Sequence, residues 1–392
     1  MIDVGVAYFD NSKAQNLGGG WYSLNGERSR MFASASGDLD PQVLWITNLG
    51  YNEYSDYSFS GTSHIRNENF FRMSLKSVGQ ELGVYDSTKI PDAVEVLSGV
   101  ASRTINLAGR SMPGLRFGGF SLPESIYTAL GLTDQKTDPS AAYQSEFQAA
   151  FQEYSVVTAN RSYFGETDLV RFVPNRVMHV EQVLSYFEPT GEIRLIQGEM
   201  SVDEFLSLEH PAIASAVIDN SSAEMPELLA YGAQYQSSGV MRTFVAQPEV
   251  YFMTLSGSRF KLKDALVFSS SAKPPQLPES LTENALIRNS YSAGLVADNF
   301  LSALMSKRRT QGKRIRNSVF FPSRAVFMRS IDRMLSYEMA RQLADAGLRV
   351  NAYGFGVVSV KLSASEFADA LMVGADLGFS ILATPSERFE RG

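Results

Sequence analysis

The 392-residue chain contains no cysteine. That excludes disulfides and every cysteine-ligated metal or redox centre. It holds only three histidines, His64, His179 and His210. A three-histidine metal site would need all of them, drawn from distant positions. No apolar run nears the roughly 20 residues that span a bilayer. The opening "MIDVGVAYFD" has neither the basic n-region nor the cleavage pattern of a secretory leader. The expectation is an intracellular, cytoplasmic protein with no membrane partner.

Familiar catalytic signatures are missing too. There is no G-x-S-x-G elbow and no H-E-x-x-H helix. Gly312-Lys313 has the ending of a phosphate-binding loop, but Lys307 stands where the first glycine is needed. Arg314 replaces the required Ser or Thr. No catalytic, cofactor or metal residues are assigned, and no cofactor is expected. His179, in an apparent strand pattern, and His210, before Pro211, read as structural. Asp3 and Asp10 are candidates for a strand-borne magnesium site. They would serve a ribonuclease H-like nuclease, a third reading that rests on the order of elements alone.

What is present describes a globular chain, 44% hydrophobic and 20% charged. Its length suits two or three domains. "SSSAKPPQLPES" (Ser269–Ser280) reads as an exposed connection, because Pro and Ser interrupt helix and strand alike. "GLTDQKTDPSAA" (Gly131–Ala142) is a weaker break. The expected segments are 1–137, 138–272 and 273–392, within a mixed α/β (α+β) fold.

The first segment should hold a mixed sheet with helices. It opens on a strand, then a hairpin at Asn25-Gly26, where both residues tolerate positive φ. "VLWIT" follows as a buried strand. Helices are expected over 69–82 and 91–103, and another after an N-cap at Ser121. The middle segment should be antiparallel and strand-rich. Here 176–200 reads as two strands around Pro-Thr-Gly, and 240–268 reads as strands. Ser201 with Glu204 forms a capping box. The third segment should be helical, then a small α/β unit, with a long helix over 323–346 ended by Gly347. A second capping box pairs Ser363 with Glu366.

The strongest feature is "KRRTQGKRIR" (Lys307–Arg316), with six cations in ten residues of a chain whose net charge is −7. Residues 273–392 carry 16 basic and 11 acidic residues, a net of +5. The remainder carries 19 and 31, a net of −12. On the long helix, Phe327, Met328, Ile331, Met334, Leu335 and Met339 share one face. Arg329 and Arg333 fall opposite, which should point them to solvent. Lys307, Arg308, Arg309, Lys313, Arg314, Arg316, Arg329 and Arg333 thus form the candidate surface for a partner or polyanion. Tyr51, Tyr54 and Tyr57 mark a candidate contact loop. Arg110 and Arg116, within the glycine-rich "GRSMPGLRFGGF", could face an anion.

The leading expectation is a non-enzymatic interaction or assembly protein, an adaptor using segregated acidic and basic surfaces. Its partner would be an acidic protein surface or a second copy. The alternative is a nucleic-acid-associated protein that meets phosphates through the C-terminal basic surface. The lack of any familiar motif over this length fits a fast-diverging source such as a phage or other virus.

Overall fold

The computed structural model describes residues 2–9, 19–33, 38–48, 64–66, 70–71, 75, 78–79, 82–84, 89–117, 121–132, 138–151, 156–157, 168–223, 240–309 and 319–383. The chain packs as two units, Met1–Thr133 with Leu277–Ala303, and Asp134–Gln276 with Leu304–Gly392. Residues 277–303 of the last expected segment pack with the first unit. This redistributes the charge. The first unit carries 11 basic and 16 acidic residues, a net of −5, and the second 24 and 26, a net of −2. The +5 and −12 stretches are therefore not separate bodies.

The first unit is built on a mixed sheet. Its strands are β1 (Val4–Phe9), β2 (Gly20–Leu24), β3 (Arg30–Phe32), β4 (Leu44–Thr47) and β5 (His64–Arg66). Their order is β3-β2-β1-β4-β5. The first three are antiparallel, while β4 and β5 continue in parallel. Asn25 and Gly26 end β2 with φ of 51° and 85°, the left-handed pair the sequence called for. Gly5 is needed for packing. A Cβ there would lie 2.3 Å from the fully buried Trp45 ring on the neighbouring strand.

Helix α1 (Ile90–Ser111) lays Val94, Leu97, Ala101, Ile105 and Ala108 against this sheet at a 3.6-residue repeat. Ser121 caps α2 (Leu122–Ala129), accepting from the Glu124 amide. Ser121→Ala should cost about 1 kcal/mol, read as a drop in the urea midpoint at unchanged slope. The helix expected over 69–82 lies largely outside the described residues.

Among the described residues, the second unit holds two larger antiparallel sheets and a two-stranded antiparallel ladder. Its first half runs through α3 (Gln144–Phe151), β6 (Val156–Val157), β7 (Asp168–Val173), α4 (Arg176–Leu184), β8 (Glu188–Met200) and α5 (Val202–Leu206). Then come β9 (Ala212–Asp219), β10 (Val240–Ala246), α6 (Gln247–Leu255) and β11 (Arg259–Ala272). After the first unit's last helices follow β12 (Arg308–Arg309), β13 (Val319–Phe320) and α7 (Ser323–Asp345). The chain closes with β14 (Arg349–Gly354), β15 (Val357–Leu362), α8 (Phe367–Asp376) and β16 (Ser380–Ala383). One sheet is ordered β10-β9-β11-β8, the other β16-β7-β15-β14-β6. Strands β15 and β16 both pair antiparallel with β7. They are therefore parallel to each other, joined by the α8 crossover that the sequence indicated. The architecture is the mixed α+β class expected.

Three local expectations are corrected. Residues 176–184 form a helix, because Asn175 caps them through the Met178 amide and Val177, Val180, Val183 and Leu184 repeat at helical spacing. Pro189-Thr190-Gly191 then lies inside β8, not at a turn. Residues 247–255 form α6, started by Pro248 and by Glu249 reaching back to the Ala246 amide. Ser269–Ala272 extends β11, where Ser270 pairs with Thr190 and Ser271 with Pro189. The connection between units is therefore shorter than "SSSAKPPQLPES", and Pro274 and Leu277 within it are buried.

Candidate functional site

The candidate basic surface is not one surface. Lys307 is exposed, but its neighbour Arg308 is buried at 8% exposure, with its backbone paired to Phe320. Arg309 pairs with Val319 along the backbone. Lys313, Arg314 and Arg316 lie outside the described residues, as do Tyr51, Tyr54, Tyr57 and Asp10. Arg329 and Arg333, expected in solvent, are buried at 9% and 3%. The apolar stripe on α7 was read correctly, but the helix is enclosed on nearly every side. Its opposite face therefore meets protein.

A buried arginine is tolerable only when its charge is matched. Arg333 forms an ion pair with Glu249 of α6, and the two side chains are 4% and 1% exposed. Its Nε donates to Glu249 at 2.9 Å, and Nη1 donates to the Phe151 carbonyl at 3.4 Å. Arg329 donates to the same carbonyl at 3.1 Å. Its guanidinium lies 4.2 Å from the Phe151 ring centre and 4.9 Å from that of Phe355. This stacking suits a planar, weakly hydrated cation. Nearer the helix start, Arg324 grips the buried Glu188 of β8 with two donors.

The same helix anchors the β14–β15 turn. Gly354, Phe355 and Gly356 all have positive φ, at 139°, 56° and 64°. Asp332 accepts from the Phe355 amide at 2.8 Å, and Ser336 Oγ from the Gly356 amide at 3.0 Å. The other Asp332 oxygen lies 2.9 Å from His179 Nε2 on α4. His179 is thus a buried helix residue, not a sheet residue. One turn on, the Tyr337 hydroxyl donates to Ser256 Oγ at 2.5 Å. Burial pushes the Tyr353 phenol well above its ordinary range, helped by the Tyr337 phenol and opposed by Arg333.

These paired charges tie α7 to α6, to β8 and to the β14–β15 turn. Among the described residues, no group of three or more His, Asp or Glu side chains converges to hold a metal. Asp3 is exposed and accepts from Asn25 Nδ2 at 2.9 Å, supporting the hairpin turn. Arg110 donates back to the Asn106 carbonyl of its own helix, while Arg116 is exposed. His210 sits at a bend before β9. Among the described residues, no helix is long and apolar enough to cross a membrane.

No protein-family model matches the sequence, and no curated protein matches it. Solved structures do resemble the fold. Phi29 DNA polymerase complexed with single-stranded DNA superposes at a TM-score of 0.51 and 11% identity, over 93% of this chain and 80% of that one. The same polymerase in an orthorhombic crystal form gives 0.50 and 10%, over 93% and 81%. Its post-translocation complex with primer-template DNA gives 0.50 and 10%, over 92% and 80%. The chain therefore has a fold like that of Phi29 DNA polymerase.

Proposed function

We propose that the protein binds nucleic acid, meeting the sugar–phosphate backbone through its C-terminal basic segment. The observation that carries this reading is the likeness of fold, over more than nine-tenths of the chain, to a polymerase solved with DNA. A fold hosts many functions, so the likeness supplies the class of partner and the basic segment supplies the contact. Lys307, Arg309, Lys313, Arg314 and Arg316 are the residues assigned. Arg308, Arg329 and Arg333 are withdrawn, because each is buried. The assembly reading loses one of its supports, the segregated charge, since neither packed unit is basic.

Charge reversal at Lys307, Lys313, Arg314 and Arg316 should weaken binding of a fluorescent oligonucleotide at least tenfold, with the melting temperature nearly unchanged. For the wild type, log affinity against log salt should fall with a slope of several units, through counterion release. No oligonucleotide binding at low salt, or a shallow slope beside tight binding to an acidic protein, would return the assembly reading to first place.

A further inference from the structure

The sequence did not single out β11, yet β11 carries the clearest row of exposed cations among the described residues. Arg259, Lys261 and Lys263 are exposed, while Phe260 and Leu262 between them turn into the core. Side chains at i, i+2 and i+4 of a strand share a face and stand about 6.8 Å apart. The row ends at a bulge. Asp264 takes φ of 51°, accepts from the Gly198 amide at 2.9 Å, and shifts the register between Lys263 and Ala265. Beyond it, the β11 residues Leu266 and Phe268 are buried with Phe147 and Phe327. Helices thus cover one end of the strand and leave the other open.

Exposed cations on a sheet often serve to block edge-to-edge pairing. That explanation fails here, because β11 is interior, bonded to β9 on one side and β8 on the other. Nor are the cations committed to neighbours. Arg259 faces Asp219 across the ladder, and Lys263 faces Glu199 and lies 3.8 Å from Asp264. Exposed pairs of this kind are worth about 1 kcal/mol or less, so a phosphate can compete for the cations. Lys261 faces apolar Val217 on β9, and Arg242 of β10 stands opposite Val217 on its other side.

Resting on the nucleic-acid reading, we infer that Arg259, Lys261 and Lys263 form a second contact, a track for the backbone of an extended single strand. One phosphate per nucleotide and one cation per two residues let the two chains run side by side. The contact is electrostatic and carries no sequence readout.

The test uses the full chain, a fluorescein-labelled single-stranded oligonucleotide and a salt titration. Replacing all three cations with Gln should reduce the slope of log affinity against log salt by about 2, since each phosphate contact on a single strand contributes about 0.7. Affinity at low salt should fall tenfold or more. If the triple variant melts early, Lys261→Gln alone should lower the slope by about 0.7. An unchanged slope and affinity in a folded variant, beside loss of binding in the Lys307 set, overturns the track and leaves the nucleic-acid reading standing. A wild type that binds no oligonucleotide overturns both.

Discussion

Glu249→Ala is expected to cost about 3–5 kcal/mol of folding stability, among the largest losses a single substitution in this chain should produce. The change removes the carboxylate that pairs with Arg333, whose guanidinium is 4% exposed and also donates to the Phe151 carbonyl. It also removes the acceptor of the Ala246 amide at the start of α6. The companion variant separates the worth of the pair from the penalty of an orphaned charge. In the double change Glu249→Ala with Arg333→Met both members of the pair are gone, and a thioether chain fills most of the space. Urea titration should place the double variant nearer the wild type than Glu249→Ala alone. Equal losses in the two would mean that volume, not charge, decides stability here.

That pair also shows where reading the sequence stops. The face of α7 bearing Phe327, Met328 and Ile331 was legible, because burial repeats at helical spacing. The opposite face was not, since Arg333 meets a carboxylate 84 positions earlier in the chain. A helical wheel sorts residues by direction but does not say what waits there. Once Glu249 is in place, a pattern that reads as solvent becomes interior.

Local signals fared according to whether a cap or turn fixed them. Asn25-Gly26, Ser121 and the Ser201–Glu204 box were found because their chemistry is complete within four residues. Helix α4 was missed because Val-rich "RVMHVEQVL" favours strands by composition. The decisive signal was the residue before it, Asn175, bonding the Met178 amide. Helix α6 was missed in the same way, although Pro248 followed by Glu249 is a helix start. The segment-level charge count misled for a different reason. It assumed that neighbours in sequence pack together, whereas residues 277–303 return to the first unit.

Gly356→Ala is expected to destabilise the second unit by roughly 2–4 kcal/mol, through two separable causes. The first is backbone conformation. At φ of 64° an added methyl group brings the left-handed penalty of roughly 1–2 kcal/mol. The second is space, for that Cβ would lie 2.7 Å from His179 Cδ2 and 2.9 Å from Nε2. The ring cannot swing away cheaply, because its Nε2 is held by Asp332 at 2.9 Å and both side chains are 5% exposed. Gly347 supplies the control. Its φ is 88°, but nothing lies within 4 Å of an added Cβ, so Gly347→Ala should show the backbone cost alone. Removing the ring should relieve the second cause only. His179→Ala combined with Gly356→Ala should therefore cost less than the sum of the two, by about 0.5–3 kcal/mol. Urea midpoints of the four variants give the answer. Equal losses at Gly356 and Gly347, with strict additivity in the double variant, would show that the imidazole yields and that the β14–β15 turn is not clamped by α4 and α7.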